Sequence, residues 1–269
     1  MLASAVAAVA AAPPLNPVHS PLTLYFNSPT AEVVMPLLCP LFIVLLLLGP
    51  ICSAFATANG GVSLNQTRVI FAAGDKAQTI TVKNIGSQNY LIQSRIQRER
   101  QDQGPAPFIV TPPLFPLGPQ SKQLLRILKQ DETLPADRES LFYLTVLAIP
   151  AQKESVSADA RLSMGFQFMI KLLYRPQGLK LSAQEASCRL QFSRTANGVR
   201  VENPTPYFLT FGSLAFGQDE IDLNTQPSMI APMSVETYPI TRPVGRVQWQ
   251  TLTDFGGLSP ACQQTVSLK

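Results

Sequence analysis

The sequence predicts an all-β molecule made of two consecutive β-sandwiches, and three observations predict it. The chain has 269 residues, more than one ordinary domain holds. Short segments rich in β-branched and aromatic residues follow one another with turn residues between them. No stretch carries the apolar period of a long amphipathic helix. A hydrophobic content of 46% against 14% charged residues argues for packed cores rather than disorder.

Seven strands are expected first, at Val62 to Phe71, Gln78 to Lys83, Tyr90 to Gln97, Phe108 to Thr111, Lys122 to Leu128, Leu141 to Ile149 and Leu162 to Tyr174. Turn residues such as Ala73-Gly74-Asp75-Lys76, Asn84-Ile85-Gly86, Pro112-Pro113 and Gly118-Pro119 punctuate them. Seven strands in little over a hundred residues suit one sandwich. A second series is expected at Cys188 to Arg194, Gly198 to Glu202, Tyr207 to Gly212, Ser234 to Pro239, Gly245 to Leu252 and Gln263 to Leu268. Arg175-Pro176-Gln177-Gly178 is the natural boundary, so the domains run over 59–176 and 177–269 behind a leader, 1–58. Pro206, Pro227, Pro232, Pro239 and Pro243 suit edges and loops better than sheet interiors.

The leader is read from the front of the chain. Met1 to Thr67 has no Lys or Arg, and Glu32 is its only acidic residue. Leu37 to Leu48 is an apolar run, followed by Gly49-Pro50 and by Ala54-Phe55-Ala56, the order of a secretory signal with an A-x-A cleavage site. Met35, directly before the run, is the expected start of synthesis, with residues 1–34 an extension. An uncleaved anchor is the alternative, disfavoured because the run is shorter than the roughly 20 residues that span a bilayer.

Loss of the leader would remove Cys39, Cys52 and His19, leaving Cys188 and Cys262 as an even pair in an exported protein. Such a pair reads as one disulfide, with two buried free thiols the alternative. A chain without histidine builds neither a Ser-His-Asp or Cys-His site nor a His-ligated zinc site. No catalytic residue, cofactor, metal or small-molecule substrate is therefore expected. The formal charge of +4 comes without a Lys/Arg block, so nucleic acid is not an expected partner either.

Leu162, Met164, Phe166, Phe168 and Ile170 lie at strict period two. Such a face needs an apolar partner. It is either a core strand of its own sandwich or an edge reserved for another protein, and the pattern alone leaves both open.

Seven ordered blocks carry a resemblance that bears on this choice: Gly61 to Phe71 (GVSLNQTRVIF), Tyr90 to Gln93 (YLIQ), Pro107 to Leu114 (PFIVTPPL), Leu134 to Phe142 (LPADRESLF), Ile170 to Pro176 (IKLLYRP), Asn203 to Tyr207 (NPTPY) and Asp254 to Gly257 (DFGG). In these the chain resembles the PapD-like periplasmic chaperones of the chaperone–usher pilus pathway. The resemblance implies two immunoglobulin-like sandwiches at an angle, with a cleft where an incomplete pilus subunit docks. It also implies that Arg68 and Lys171 grip the subunit's C-terminal carboxylate, and that Leu162, Met164 and Phe166 donate alternate side chains, with Phe168 and Ile170 extending the face. Glu139, Arg175 and Asp254 match a buried interdomain charge cluster. The implied partners are pilus subunits and an outer-membrane usher, with self-association of the free protein through the same edge, and the implied compartment is the periplasm.

Two positions depart from the family pattern: Arg95 replaces a frequent aromatic residue and Pro116 a frequent basic one. The short connection from Ile149 to Arg161 favours the short-loop subgroup. The rival reading is an exported pilus subunit or adhesin, which should instead show one incomplete sandwich behind an N-terminal donor extension. An enzyme on an immunoglobulin-like scaffold is the third reading, and the missing histidine argues against it.

Overall fold

The computed structural model describes residues 61–101, 104–151, 164–240 and 242–266. The expected leader 1–58 and Leu162 lie outside the described residues.

In chain order the first half contributes β1 (Val62–Leu64), β2 (Arg68–Ala72), β3 (Gln78–Asn84), β4 (Tyr90–Gln97), β5 (Phe108–Thr111), β6 (Leu114–Leu117), β7 (Ser121–Lys129), β8 (Ser140–Pro150) and β9 (Phe166–Arg175). They form two facing sheets, β1-β3-β7-β5 and β2-β9-β8-β4-β6. The alternating burial of β4 and β7 turns one side of each strand inward, as half-buried sheets require. Ile80, Ile92, Leu125, Ile127, Leu144 and Leu172 meet there, each fully enclosed.

The strand expected at Val62 to Phe71 is two strands, and they belong to different sheets: β1 pairs β3, while β2 pairs β9. The chain crosses at Asn65-Gln66-Thr67, where the Thr81 N–H donates to Asn65 Oδ1 at 2.7 Å and the Asn65 N–H to the Thr81 carbonyl at 3.2 Å. Strands that switch sheets in this way make the corners of a sandwich. A second crossing falls at Pro112-Pro113, between β5 and β6, and β6 has no counterpart among the expected strands. Prolines suit such a corner because they have no N–H to give a ladder.

Beyond Pro176 come a four-residue helix α1 (Ala183–Ala186), β10 (Gln191–Thr195), β11 (Gly198–Asn203), β12 (Leu209–Phe216), β13 (Asp219–Glu220), β14 (Met229–Ile230), β15 (Ser234–Pro239), β16 (Arg246–Thr251) and β17 (Cys262–Thr265). The helix opens on a capping box in which Ser182 and Glu185 bond reciprocally. Sheets β10-β11-β15 and β13-β12-β16-β17 enclose Leu214, Ile230, Tyr238 and Trp249. Cys188 and Cys262 are joined in a disulfide with Cα atoms 5.4 Å apart. Beside it the Trp249 indole N–H donates to the Ser187 carbonyl at 2.9 Å. Among the described residues the regular structure is thus strand apart from α1, in two immunoglobulin-like sandwiches.

Candidate functional site

Strand β9 organises the site. β8 covers one of its edges over Phe166–Tyr174, but on the other edge β2 pairs only with Lys171–Arg175. That pairing is parallel, and its first register pair is Arg68 with Lys171. The segment Phe166–Ile170 has no strand on its second edge among the described residues. Two cations therefore stand side by side where the free edge ends.

Both cations are sheltered. Arg68 is 7% exposed; its Nη1 lies 3.5 Å from the Leu252 carbonyl, and its Nε is buried with no hydrogen-bond partner among the described residues. Burial lowers the Arg68 pKa, while Asp254 and Glu139 oppose that shift at a distance. Lys171 Nζ donates to Thr210 Oγ1 at 2.9 Å, a neutral acceptor. Burial first, then the Arg68 charge and the Arg100 charge, push the Lys171 ammonium down to about 8. A pair of like charges held in a partly dry place favours an incoming anion.

The apolar face of β9 divides along its length. Met164 and Phe166 are 64% and 54% exposed, whereas Phe168 and Ile170 pack partly against the core of their own sandwich. Phe166, Phe168 and Ile170 sit on the side of β9 that carries the buried Leu172, since they oppose the enclosed Ala148, Val146 and Leu144, and Met164 precedes β9 at the same period. The face therefore begins in its own core and runs out beyond it.

Four residues further along β9, Arg175 is fully engaged. Its Nε donates to Glu139 Oε1 at 2.8 Å, and its two terminal nitrogens donate to the Asp254 carboxylate at 2.7 Å each. The guanidinium also lies 5.1 Å from the centre of the Tyr207 ring. Burial works against the charge, but the hydrogen bonds and charges of Asp254 and Glu139 win and raise the Arg175 pKa. Glu139, itself buried, accepts the Phe208 N–H at 2.9 Å. Burial raises its pKa despite Arg175. Glu139 and Arg175 come from the first sandwich, Asp254 and Phe208 from the second, so this cluster ties the two together.

Asp254 sits in a tight loop closed by the Thr253 N–H to the Gly257 carbonyl at 2.8 Å. Gly256 there adopts φ +83, and a Cβ on it would lie 2.6 Å from Thr67 Oγ1, so both conformation and space require glycine. A cavity of about 300 Å³ between the sandwiches is lined by Arg68, Arg175, Phe208, Leu252 and Phe255.

The structure thus brings Arg68 next to Lys171, joins Glu139, Arg175 and Asp254, and places Phe166, Phe168 and Ile170 on one face, with Met164 exposed just ahead of the strand. Sequence reasoning missed Thr210 and the Phe208 N–H, for which no local signal exists. Tyr207 had a signal in the Asn203–Tyr207 block, but not its role beneath Arg175.

Comparison with known proteins agrees with this geometry. Residues 61–180 match the model described as pili and flagellar-assembly chaperone, PapD N-terminal domain, and residues 185–263 match pili assembly chaperone PapD, C-terminal domain. The chaperone protein LpfB of Salmonella typhimurium is 36% identical over 210 residues, covering 77% of this chain and 90% of LpfB. The chaperone protein FimC of Escherichia coli is 37% identical over 206 residues, 76% of this chain and 83% of FimC. Among solved structures, the Salmonella enterica SafA pilin in complex with the SafB chaperone aligns with a TM-score of 0.70 at 32% identity, over 78% of this chain and 98% of that one. The E. coli chaperone DraB aligns at 0.68 and 33%, over 76% and 98%. Family, fold and site geometry converge: this chain belongs to the PapD-like pilus-assembly chaperones.

Proposed function

We propose that this chain is a periplasmic chaperone that captures pilus subunits on strand β9 and passes them to an outer-membrane usher. One observation carries the reading: among the described residues, the edge of β9 that no strand covers ends at two sheltered cations with no carboxylate bonded to either. Arg68 offers a planar fork to the subunit's terminal carboxylate and Lys171 a compact second charge. With that terminus pinned, main-chain bonds along Phe166–Ile170 set the register. Met164 and Phe166, which overhang their own core, then present their side chains to the subunit's unfilled core, and Phe168 and Ile170 continue the face back into their own sandwich; Leu162 keeps the same period in the sequence. Strand addition of this kind draws affinity from the ladder and specificity from alternate side chains.

Glu139, Arg175 and Asp254 hold the two sandwiches in the orientation that this docking needs. The division into a leader 1–58 and domains 59–176 and 177–269 is part of the same reading; which strands share a sheet supports the boundary between the two domains. The named relatives are chaperones, which favours this reading over a pilus subunit or an enzyme.

Co-purification of periplasmic partners with the tagged protein, followed by mass spectrometry, tests it. The native protein should recover pilus subunits, and a variant carrying Arg68→Ala and Lys171→Ala should recover none while remaining folded. Undiminished recovery by that variant would overturn the anchor.

A further inference from the structure

Arg68, Lys171, Tyr143 and Gln97 are mutual register partners across β2, β9, β8 and β4. Direct register partners point to the same side of a sheet, so these four side chains form one row. The row ends at Gln97, which is 2% exposed. Its amide donates to the Glu99 carbonyl at 2.7 Å and to the Arg100 carbonyl at 2.9 Å, while Thr145 Oγ1 donates to Gln97 Oε1 at 3.4 Å. A buried side chain thus ties the turn after β4 to the end of the row, and Arg100 rides on that turn.

The neighbouring Arg98 is committed elsewhere. It makes a two-pronged bond to Glu132, donates from Nε to the Pro105 carbonyl and lies over the Phe142 ring. Arg100 is exposed and forms no ion pair among the described residues. Its charge nevertheless reaches the row. It adds to the lowering of Lys171, and it opposes the rise that burial imposes on Tyr143, where Glu99 acts in the other sense.

We propose that Arg100 is a third cation of the carboxylate anchor and selects subunits that carry an acidic side chain close to the C-terminal carboxylate. The proposal rests on the anchor reading above and adds the chemistry of the partner. A terminal carboxylate brings one negative charge to Arg68, Lys171 and Arg100, and the nearby Glu139 and Asp254 are already bonded to Arg175. A second carboxylate on the partner balances the row better. Gln97 stands roughly two strand spacings, about 10 Å, from Lys171. An arginine side chain from one side and an aspartate or glutamate side chain from the other span that distance.

The test uses the full-length protein and four short soluble peptides alternating Val with Ser and Thr. Two carry Glu and two carry Gln at the last-but-one position, and each is made with a free and with an amidated C-terminus. The native protein should bind the free-acid Glu peptide about three- to fivefold more tightly than the Gln peptide, the size of a half-exposed ion pair. The preference should shrink with rising salt. Arg100→Ala should erase it, weakening the Glu peptide several-fold more than the Gln peptide, and Arg100→Lys should retain most of it. In the free protein, Arg100→Ala should move the Lys171 side-chain titration, followed by NMR, upward from about 8.

A preference that survives Arg100→Ala, or an equal loss for both peptides, overturns the proposal and leaves the anchor standing. A native protein that binds amidated and free-acid peptides alike overturns the anchor, and the proposal with it.

Discussion

Lys171 and Arg175 sit four residues apart on one strand, on the same side of it, and both are half-buried, yet their electrostatic surroundings are opposite. Arg175 has two carboxylates and an aromatic face; Lys171 has another cation in register and a neutral hydroxyl. The first charge is stabilised where it stands and the second is pushed down to about 8. Equal shelter therefore serves two purposes. A buried cation supplied with its own anions joins two parts of one chain, and one left without them is kept ready for an anion from outside. The strand edge follows the same division, covered by β2 from Lys171 onward and, among the described residues, open before it.

The largest effect is expected at the open end. Phe166→Glu places an unpaired carboxylate where a subunit's apolar groove should close, which costs several kcal/mol in the complex and abolishes capture. In the free chaperone Phe166 is 54% exposed, so thermal melting should move by less than about 1 kcal/mol in stability. A large loss of melting temperature in the free protein would return this residue to its own core. The melt should be repeated over a range of protein concentrations, because self-association through an open edge would hide the apolar face.

At the closed end, Arg175→Met leaves Glu139 buried with only the Phe208 N–H to serve it. Removing one member of such a group costs about 3–5 kcal/mol, read by urea unfolding. Because burial raises the Glu139 pKa, part of the loss should be recovered on acidification, when Glu139 takes up a proton. An equal loss at neutral and acid pH would contradict this account of the cluster.

Arg68→Ala or Lys171→Ala should act in reverse, leaving the free protein at least as stable while weakening capture. A lost charge-assisted contact is worth about 1.5–3 kcal/mol, or about 10- to 150-fold in subunit affinity. Destabilisation of the free protein by either change would erase the contrast between the two cations.

The smallest effect is on pH dependence. Lys171 titrates near 8 in the folded chain against 10.5 in its absence, so its charged form opposes folding below pH 8 and the penalty fades as pH rises toward 10.5. After allowance for its partial exposure this amounts to about 1–2 kcal/mol, and Lys171→Met should remove it. Subunit capture should fall over the same interval, since only the ammonium form attracts a carboxylate. Capture that is flat between pH 7 and pH 10 would show that Lys171 contributes no charge to it.

Much of this was legible in the residues. Short β-rich segments separated by Gly, Pro and Asn predicted most strands of both sandwiches, though not β6, β13 or β14, and the even pair Cys188 and Cys262 predicted the disulfide that is present. The run Val62 to Phe71 was not legible as two strands, because Asn65 stands there without a Gly or Pro beside it and the crossing depends on Thr81 in another strand. β6 escaped notice because Leu114-Phe115-Pro116-Leu117 contains a proline, which an edge strand tolerates.

By itself the sequence determined that Leu162 to Ile170 has an apolar face and that cations stand at Arg68, Lys171 and Arg175, since side-chain alternation and charge are properties of the local chain. Only the tertiary structure decided which apolar surface that face meets and which cation finds a carboxylate. Met164 and Phe166 overhang their own core while Phe168 and Ile170 join it, and Asp254 reaches Arg175 rather than Lys171. Both outcomes depend on where β2 stops covering β9 and on how a loop of the second sandwich meets the first. Those are long-range contacts, and a local period of two records that a partner surface is needed without recording whose it is.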